Sequence, residues 1–334
     1  MLQHKLIQQT QSSWQQALAE AIRDPAELLK QLDLPTELLP SSVAMTEQFP
    51  LRVPRSFVAR MQKGDPDDPL LKQVLPLDAE LDDVHGFSLD PVGDHEAIIN
   101  RGLLQKYQGR VLIMTTAACA IHCRYCFRRH FPYSEQSSRQ SQWQKICDEI
   151  AKDSSITEVI LSGGDPLSLA DTQLTQLVAM LEQLPQLKRL RIHTRYPIVL
   201  PQRINESLLE WLTKTRLNTV VVIHSNHANE FDHEVAAAMT KLKSAGVTLL
   251  NQTVLLRGVN DNIEALSQLS ERLFENGVLP YYLHLLDKVK GAAHFDVEKK
   301  QAQHLITEIR KILPGYLVPQ LVEEIAQAPY KQPL

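Results

Sequence analysis

The residues best suited to chemistry are three cysteines, Cys119, Cys123 and Cys126, in the run CAIHCRYC of a chain that has four cysteines. Thiolates at this CxxxCxxC spacing can bind three irons of a 4Fe–4S cluster, which four cysteines normally hold, so the fourth iron would be open to another ligand. A disulfide, a zinc site and unrelated core thiols are the alternatives. Zinc is disfavoured, because structural zinc sites take four ligands in short paired spacings and Cys147 lies 21 residues further on without such a pair.

The triad resembles the signature of radical S-adenosylmethionine proteins, and Tyr125 between the second and third cysteines agrees with it. The resemblance implies that S-adenosylmethionine binds the open iron and that the reduced cluster cleaves it to a 5′-deoxyadenosyl radical. It also implies that Gly163, Gly164 and Asp165, in the run SGGDP, contact the methionine amino group. Glycines suit this role because they leave the backbone open to a ligand, although a tight turn between strand and helix is the alternative.

Composition places the chain among ordinary globular proteins. Its 334 residues can bury a large core, and 43% hydrophobic and 22% charged residues are usual values. A net charge of −4 gives no reason to expect nucleic acid as a partner. The N-terminus has no apolar leader and no apolar run approaches 18 residues, so we expect neither membrane insertion nor export. A cytoplasmic location follows, which agrees with cysteines that stay reduced.

From residue 110 onward, apolar runs rich in β-branched residues alternate with helical patterns. The predicted strands are 111–116, 157–162, 190–194, 219–224, 247–255 and 281–286, and the predicted helices are 139–152, 170–184, 204–215, 230–245, 263–276 and 297–312. This alternation predicts an α/β protein with a parallel, right-handed sheet, and six units indicate a partial (β/α)6 barrel. Site residues should then lie at the carboxyl ends of the strands, and the cysteine run directly follows the first of them.

The flanking segments have a different composition. Residues 1–105 are predicted to form a helical and irregular extension, with two helices in 11–33 and a short one near 55–63. Asp24 and Pro25 mark the start of the second helix. Residues 106–312 form the predicted barrel. The tail, 313–334, has loop composition with four prolines.

Several longer motifs resemble the lysine 2,3-aminomutases, a family of radical S-adenosylmethionine enzymes. In chain order they are GRVL at 109–112, CFRR at 126–129, TRYPIVLPQRI at 194–204, NQTVLL at 251–256, GVND at 258–261 and PYY at 280–282. The resemblance implies that Lys331, near the C-terminus, binds pyridoxal phosphate covalently. It implies that Arg110, helped by Lys106, binds the phosphate, although both could be surface cations.

The same resemblance assigns the substrate contacts. Arg128 would hold a carboxylate through its guanidinium fork, and Asp287 and Glu324 would bind the ε-ammonium of lysine. Glu324 stands where the family has aspartate, so its arm is longer. A helix cap or a salt bridge to Lys288 or Lys290 is the alternative for Asp287.

Three further residues are implied to contact S-adenosylmethionine. They are Asn251 and Gln252 on the fifth predicted strand and His224 at the end of the fourth. Polar side chains at these places can equally be satisfied core groups.

The resemblance implies isomerisation of L-lysine to β-lysine, with an electron from a flavodoxin or ferredoxin type of donor. An aminomutase for another cationic amino acid, a radical S-adenosylmethionine enzyme without pyridoxal phosphate, and an electron-transfer iron–sulfur protein are the alternatives. The chain ends three residues after Lys331, has no cysteine after Cys147, and carries Asn262 where clostridial members have a zinc cysteine. We therefore expect no zinc-mediated oligomer. The chain resembles the short bacterial form that makes (R)-β-lysine, which a lysyl-tRNA-synthetase-like ligase attaches to elongation factor P.

Overall fold

A sheet of ten strands organises the part of the chain that the computed structural model describes, residues 13–41, 49–133, 138 and 140–334. Its strands are β1 (Ile98–Asn100), β2 (Leu103–Leu104), β3 (Arg110–Thr116), β4 (Glu158–Gly163), β5 (Arg189–Thr194), β6 (Asn218–Ile223), β7 (Thr248–Val254), β8 (Leu279–His284), β9 (Gln320–Glu323) and β10 (Gln332–Pro333). They lie in chain order, with β3 to β9 all parallel. The edge pairs β1–β2, β2–β3 and β9–β10 are antiparallel. This order leaves β1 and β10 at opposite edges of an open, partial barrel.

Helices connect the parallel strands and pack against the sheet. The α-helices are α1 (Ser13–Ala19), α2 (Pro25–Gln31), α3 (Arg55–Val58), α4 (Pro69–Lys72), α5 (Trp143–Ala151), α6 (Asp171–Glu182), α7 (Tyr196–Val199), α8 (Glu206–Thr213), α9 (His233–Ser244), α10 (Ile263–Glu275) and α11 (Lys299–Ile312). Side-chain caps fix several starts: Asn205, Asp232 and Asn262 each accept a backbone N–H from the first turn. Within the described ranges, no helix is both long and apolar enough to cross a membrane. Residues 1–12, where no leader was expected, lie outside these ranges.

The six predicted strands correspond to β3–β8, and the predicted helices lie between and after them. The prediction for the tail differs, because residues 320–323 and 332–333 form β9 and β10 rather than loops. The sheet also includes β1 and β2, which precede the predicted barrel segment. These four strands are short and depend on pairing with a neighbour at the sheet edge, which composition does not reveal.

The N-terminal helices share the core of the barrel. Trp14 in α1 packs edge-on against Tyr196 with ring centroids 6.0 Å apart, and the guanidinium of Arg203 lies 4.6 Å from the Trp14 ring. Leu28 and Leu29 in α2 are fully buried in the same apolar cluster as the strands. As predicted, α2 begins at Pro25 with Asp24 as its cap, but the helix expected near 55–63 spans only Arg55–Val58. The extension is therefore held by the barrel.

Candidate active site

A cavity of about 420 Å³ opens at the carboxyl ends of the parallel strands. This volume is within the usual range for small-molecule sites. Its lining includes every predicted site residue except Asn251: Lys106, Arg110, Cys119, Cys123, Cys126, Arg128, Gly163, Gly164, Asp165, His224, Gln252, Asp287, Glu324 and Lys331. The fold thus brings residues from opposite ends of the chain to one place.

The side chain of Asn251 points away from this cavity. Its amide accepts a hydrogen bond from the backbone N–H of Ser225 (2.9 Å) and donates to the Thr253 hydroxyl (2.8 Å). Successive side chains of a strand face opposite sides, so β7 presents Gln252 to the cavity and buries Asn251. Asn251 therefore does not line the cavity, and its amide links β7 to the residue Ser225 that follows β6.

The three cysteines of the predicted triad lie on the loop after β3, and their side chains line the cavity together. All four cysteines lie in the described part of the chain and are free thiols, which removes the disulfide alternative. Among the described residues no three His, Cys, Asp or Glu side chains are close enough to hold a single metal ion. A 4Fe–4S cluster would bind each cysteine at a different iron, and all three cysteines face one cavity.

Two adjacent glycines let the cysteine loop approach the end of β4. The N–H of Gly164 donates to the carbonyl of Thr116, and the N–H of Asp165 donates to that of Ala118, each at 2.7 Å. A Cβ atom on Gly164 would lie 2.4 Å from the Ala118 oxygen. The glycines are therefore required for packing, whatever they contact in a ligand.

The carboxylate of Asp165 is directed into the protein. It accepts hydrogen bonds from the Thr194 hydroxyl (2.7 Å) and from the backbone N–H groups of Leu167 (3.0 Å) and Arg195 (2.7 Å). Burial outweighs these bonds and raises the pKa of Asp165 to about 6. Its carboxylate thus holds the ends of β4 and β5 together at the edge of the cavity.

Two thiols of the triad, those of Cys119 and Cys126, have raised pKa values. Burial, reinforced by the neighbouring Cys123, raises the pKa of Cys126 to about 11, and burial also raises the pKa of Cys119 well above its usual value. Iron binds cysteine as the thiolate, so loading of the site releases protons. The donor set fits an iron–sulfur cluster that supplies one-electron chemistry.

Arg195, just after β5, contacts the triad directly, although the sequence analysis assigned it no role. Its guanidinium donates to the Cys123 sulfur and to the Tyr125 hydroxyl, each at 2.7 Å. The only sequence signal is its place in the motif TRYP, directly after a strand.

At the other side of the cavity, ion pairs form a continuous chain. Asp94 is paired with Arg128 (2.6 Å) and with Lys106 (2.7 Å), and Lys106 lies 3.7 Å from Glu324. Glu324 is in turn bound by the Lys331 ammonium and by the Tyr107 hydroxyl, the latter at 2.6 Å. Predicted substrate, phosphate and cofactor residues are therefore parts of one charge network.

Two carboxylates of this network are ionised despite burial. Burial alone would raise their pKa values, but Arg128 and Lys106 hold the pKa of Asp94 well below its usual range. The Lys331 ammonium likewise lowers the pKa of Glu324. Asp94 comes from an irregular segment rich in proline and aspartate, so no sequence pattern distinguished it.

Asp287 differs from Asp94 and Glu324 because its carboxylate forms no hydrogen bond or ion pair with the described residues. Burial raises its pKa to about 7, against the lowering effect of Lys331. The alternative salt bridges are absent, since Lys288 lies 3.9 Å from Asp296 and Lys290 lies 3.0 Å from Asp83. Asp287 is thus an unpaired acid that faces the cavity.

The relatives of this chain agree with the site. The family model described as the Radical SAM superfamily matches residues 113–269. The chain is 48% identical over 329 residues to the L-lysine 2,3-aminomutase of Haemophilus influenzae, covering 98% of this chain and 97% of that protein. It is also 48% identical over 326 residues to the enzyme of that name from Escherichia coli, covering 97% and 95%.

The chain belongs to the lysine 2,3-aminomutase family. Its members are named for moving an amino group between carbons 2 and 3 of L-lysine, so the aminomutase is an isomerase. The superfamily confirms the predicted fold class, the 4Fe–4S cluster and S-adenosylmethionine. A Clostridium subterminale L-lysine 2,3-aminomutase is 32% identical over 327 residues, which cover 97% of this chain but 78% of the clostridial protein. The aminomutase thus matches the shorter relatives along nearly their whole length.

Arg110 is the cation of the aminomutase cavity that is available to a ligand. Its guanidinium lies 4.7 Å from the Tyr107 ring, and it makes no side-chain ion pair or hydrogen bond with the described residues. Lys106, by contrast, donates to the Val92 carbonyl (2.9 Å) and pairs with Asp94. Among the described residues, Arg110 is therefore more available to a ligand than Lys106.

Three histidines complete the aminomutase cavity: His284 is buried, His193 and His224 are partly buried, and only His224 was predicted. Nε2 of His193, His224 and His284 has no hydrogen-bond partner among the described residues. Burial, together with the Arg195 and Lys331 cations, lowers the pKa of His224 to about 4, and burial also keeps the pKa values of His193 and His284 low. These neutral imidazoles can therefore donate or accept hydrogen bonds to a ligand without adding charge.

Proposed function

We propose that this aminomutase converts L-lysine to β-lysine, with the substrate side chain held between Asp287 and Glu324. The observation that carries the proposal is the unpaired carboxylate of Asp287, in the same cavity as Lys331 and the cysteine triad. An unpaired buried carboxylate is costly unless a ligand supplies the opposite charge. A cationic amino acid supplies it.

The substrate carboxylate is assigned to Arg128, at the opposite end of the charge network. Its guanidinium is fixed by Asp94 through Nε at 2.6 Å, while Nη1 lies 3.4 Å from the Ser162 hydroxyl. A fork held along one edge can still offer its other N–H groups to a carboxylate. Asp94 therefore orients Arg128. The carboxylate of the substrate would meet Arg128, and its side-chain ammonium would meet Asp287 and Glu324.

Lysine 2,3-aminomutases depend on pyridoxal phosphate, and we assign its binding to Lys331 and Arg110. When bound, this cofactor supplies an aldehyde that condenses with amines. Lys331 provides an amine that faces the cavity. In its ammonium form this amine is paired with the Glu324 carboxylate. Arg110 supplies a free fork that suits phosphate, and Tyr107 holds that fork in place by stacking.

The cysteine triad is assigned to the cluster, and Gly163, Gly164, Gln252 and His224 to the S-adenosylmethionine side of the cavity. One electron from a flavodoxin or ferredoxin type of donor starts the reaction. Lysine and β-lysine are isomers, so no net electron is consumed. We place the enzyme in the cytoplasm, where a reducing environment keeps the thiols available.

The first test is an anaerobic assay. The protein is loaded with iron, sulfide, pyridoxal phosphate and S-adenosylmethionine, then reduced with dithionite and given L-lysine. We expect β-lysine by mass spectrometry, with S-adenosylmethionine recovered. Cleavage of S-adenosylmethionine with unchanged lysine would reject lysine as the substrate, and arginine in a parallel assay tests the other cationic amino acid.

We further propose that the product is (R)-β-lysine and that it serves the modification of elongation factor P. Support comes from the near-complete length match to the relatives from Haemophilus influenzae and Escherichia coli. Chiral chromatography of the product tests the configuration. Addition of the product to a lysyl-tRNA-synthetase-like ligase and elongation factor P should add one β-lysyl group by mass. An (S) product or an unmodified factor would reject this role.

A further inference from the structure

Arg195 places a fixed positive charge against one sulfur of the triad. One nitrogen of its guanidinium lies 2.7 Å from the Cys123 sulfur, and the other donates to the Gln73 side-chain oxygen at 2.6 Å. The residue is only 6% exposed. The guanidinium therefore meets the sulfur in a part of the protein where little water screens its charge.

The surroundings of Arg195 keep this charge in position. Glu230, which is fully buried, lies 3.3 Å from the guanidinium and is itself held by Gln73 (3.1 Å) and by the backbone N–H of Asn226 (2.9 Å). The Phe57 ring lies 5.4 Å from the guanidinium carbon. Movement away from Cys123 would break these contacts, so the hydrogen bond to the sulfur is built into the core.

A cationic N–H donor beside a sulfur that binds the cluster changes the relative energies of the oxidised and reduced cluster. Adding one electron to a cluster adds one negative charge, and a nearby positive charge stabilises the reduced form. Hydrogen bonds to the sulfurs and burial are among the factors that set cluster potentials. The effect is larger where the local dielectric is low.

We propose that Arg195 raises the reduction potential of the cluster bound by the triad, and that Glu230 limits the increase. The proposal rests on the assignment of the cluster to Cys119, Cys123 and Cys126 and not on lysine as the substrate. Removal of the positive charge should make the cluster harder to reduce. Removal of the negative charge on Glu230 should make it easier to reduce, because Arg195 then acts without a counter-charge.

Arg203 provides a matched control for a purely structural role. It is also a fully buried arginine, paired with Asp171 at 2.7 Å and lying over the Trp14 ring. It does not line the cavity that contains the cysteines. Replacing Arg203 therefore removes a similar buried ion pair without changing the charge beside the triad.

The experiment is an electron paramagnetic resonance titration of the reconstituted cluster against mediators poised with dithionite, without S-adenosylmethionine. We expect a more negative midpoint potential for Arg195→Gln, a smaller shift for Arg195→Lys, a more positive potential for Glu230→Gln, and the wild-type value for Arg203→Gln. Iron content and circular dichroism are measured in parallel.

An unchanged potential in Arg195→Gln, or an equal shift in Arg203→Gln, would overturn the proposal. If Arg195→Gln does not assemble a cluster, the sign of the Glu230→Gln shift decides, since a negative or absent shift contradicts the proposal. Failure of the wild-type protein to form any cluster would instead overturn the cluster assignment.

Discussion

The two ends of the cavity are built in different ways. The cysteine end, defined by Cys119, Cys123 and Cys126, comes from one loop, and backbone hydrogen bonds to β4 fix that loop. The lysine end, defined by Asp94, Lys106, Asp287, Glu324 and Lys331, gathers side chains from separate segments, and ion pairs join all of them except Asp287. Backbone contacts make the first end rigid, whereas the second can exchange partners when a charged ligand enters. A cluster requires fixed ligands, and a substrate requires charges that it can displace.

Cys123→Ala tests the cysteine end and should have the largest effect. Loss of one of three thiolates should abolish the cluster and all β-lysine formation, because no other cysteine lines the cavity within the described residues. Iron analysis and electron paramagnetic resonance measure the loss. Cys147→Ala is the control, since Cys147 is buried in α5 away from the site, and it should keep both cluster and activity.

Lys331→Ala tests the lysine end and should also abolish activity, but with an intact cluster. Borohydride reduction of the loaded wild-type protein should attach the cofactor to the peptide that contains Lys331, as peptide mass spectrometry would show. The variant should carry no such label. Lys290→Ala, which removes an exposed partner of Asp83, serves as the control. A label on another lysine of the wild-type protein would contradict the assignment.

Asp287→Asn should weaken substrate binding while leaving both cofactors in place. Loss of a charge-assisted contact predicts a rise in the lysine KM of roughly 10- to 100-fold. The carboxylate is charged only above its pKa of about 7, so wild-type kcat/KM should fall as the pH drops below that value. The variant should lose this pH dependence.

The control for this variant is Asp296→Asn, which changes an acid near Lys288 outside the cavity lining. It should leave the KM unchanged. A normal KM in Asp287→Asn would exclude Asp287 from the substrate site.

Asp94→Asn should have the smallest effect on rate and a clear effect on stability. It leaves the buried Arg128 charge and the partly exposed Lys106 charge without their shared partner, which predicts a loss of about 3 kcal/mol in the free energy of unfolding. The pKa of Asp94 is lowered in the fold, so this stabilisation is full at neutral pH and is lost as the pH falls below about 4. Urea unfolding of wild type and variant, at neutral pH and at a pH below about 4, measures this difference in the free energy of unfolding.

Asp33→Asn is the control for stability, because its pair with Lys63 is exposed and worth little. Equal stability of wild type and Asp94→Asn at neutral pH would contradict the proposed role of Asp94 as the shared partner.

The same contrast explains what the sequence could predict. Strands β3–β8 and the cysteine loop depend on local patterns, namely apolar β-branched runs and ligand spacing, and both were predicted. Asp94 and Arg195 act through partners that are distant in the chain, Lys106 and Arg128 for the first and Cys123 for the second. Only the folded chain brings them together: no local pattern marked Asp94, and the motif TRYP did not indicate what Arg195 contacts.

Resemblance to a family predicted Lys331, Asp287 and Glu324, which spacing alone would have left as surface charges. The resemblance also suggested both Asn251 and Gln252. Because side chains alternate between the two faces of β7, only Gln252 lines the cavity. A family motif identifies a segment, but the orientation of the strand in the sheet determines which of its side chains reaches the cavity.

The pair between Glu324 and Lys331 implies an order of assembly. In the cofactor-free protein each neutralises the other, so an incoming amino acid meets a carboxylate that is already paired. If the Lys331 nitrogen were joined to the cofactor aldehyde, with release of water, it would no longer be an ammonium group paired with Glu324, which Tyr107 would still hold. Glu324 would then be open to the substrate cation together with Asp287, so we expect pyridoxal phosphate to bind before lysine.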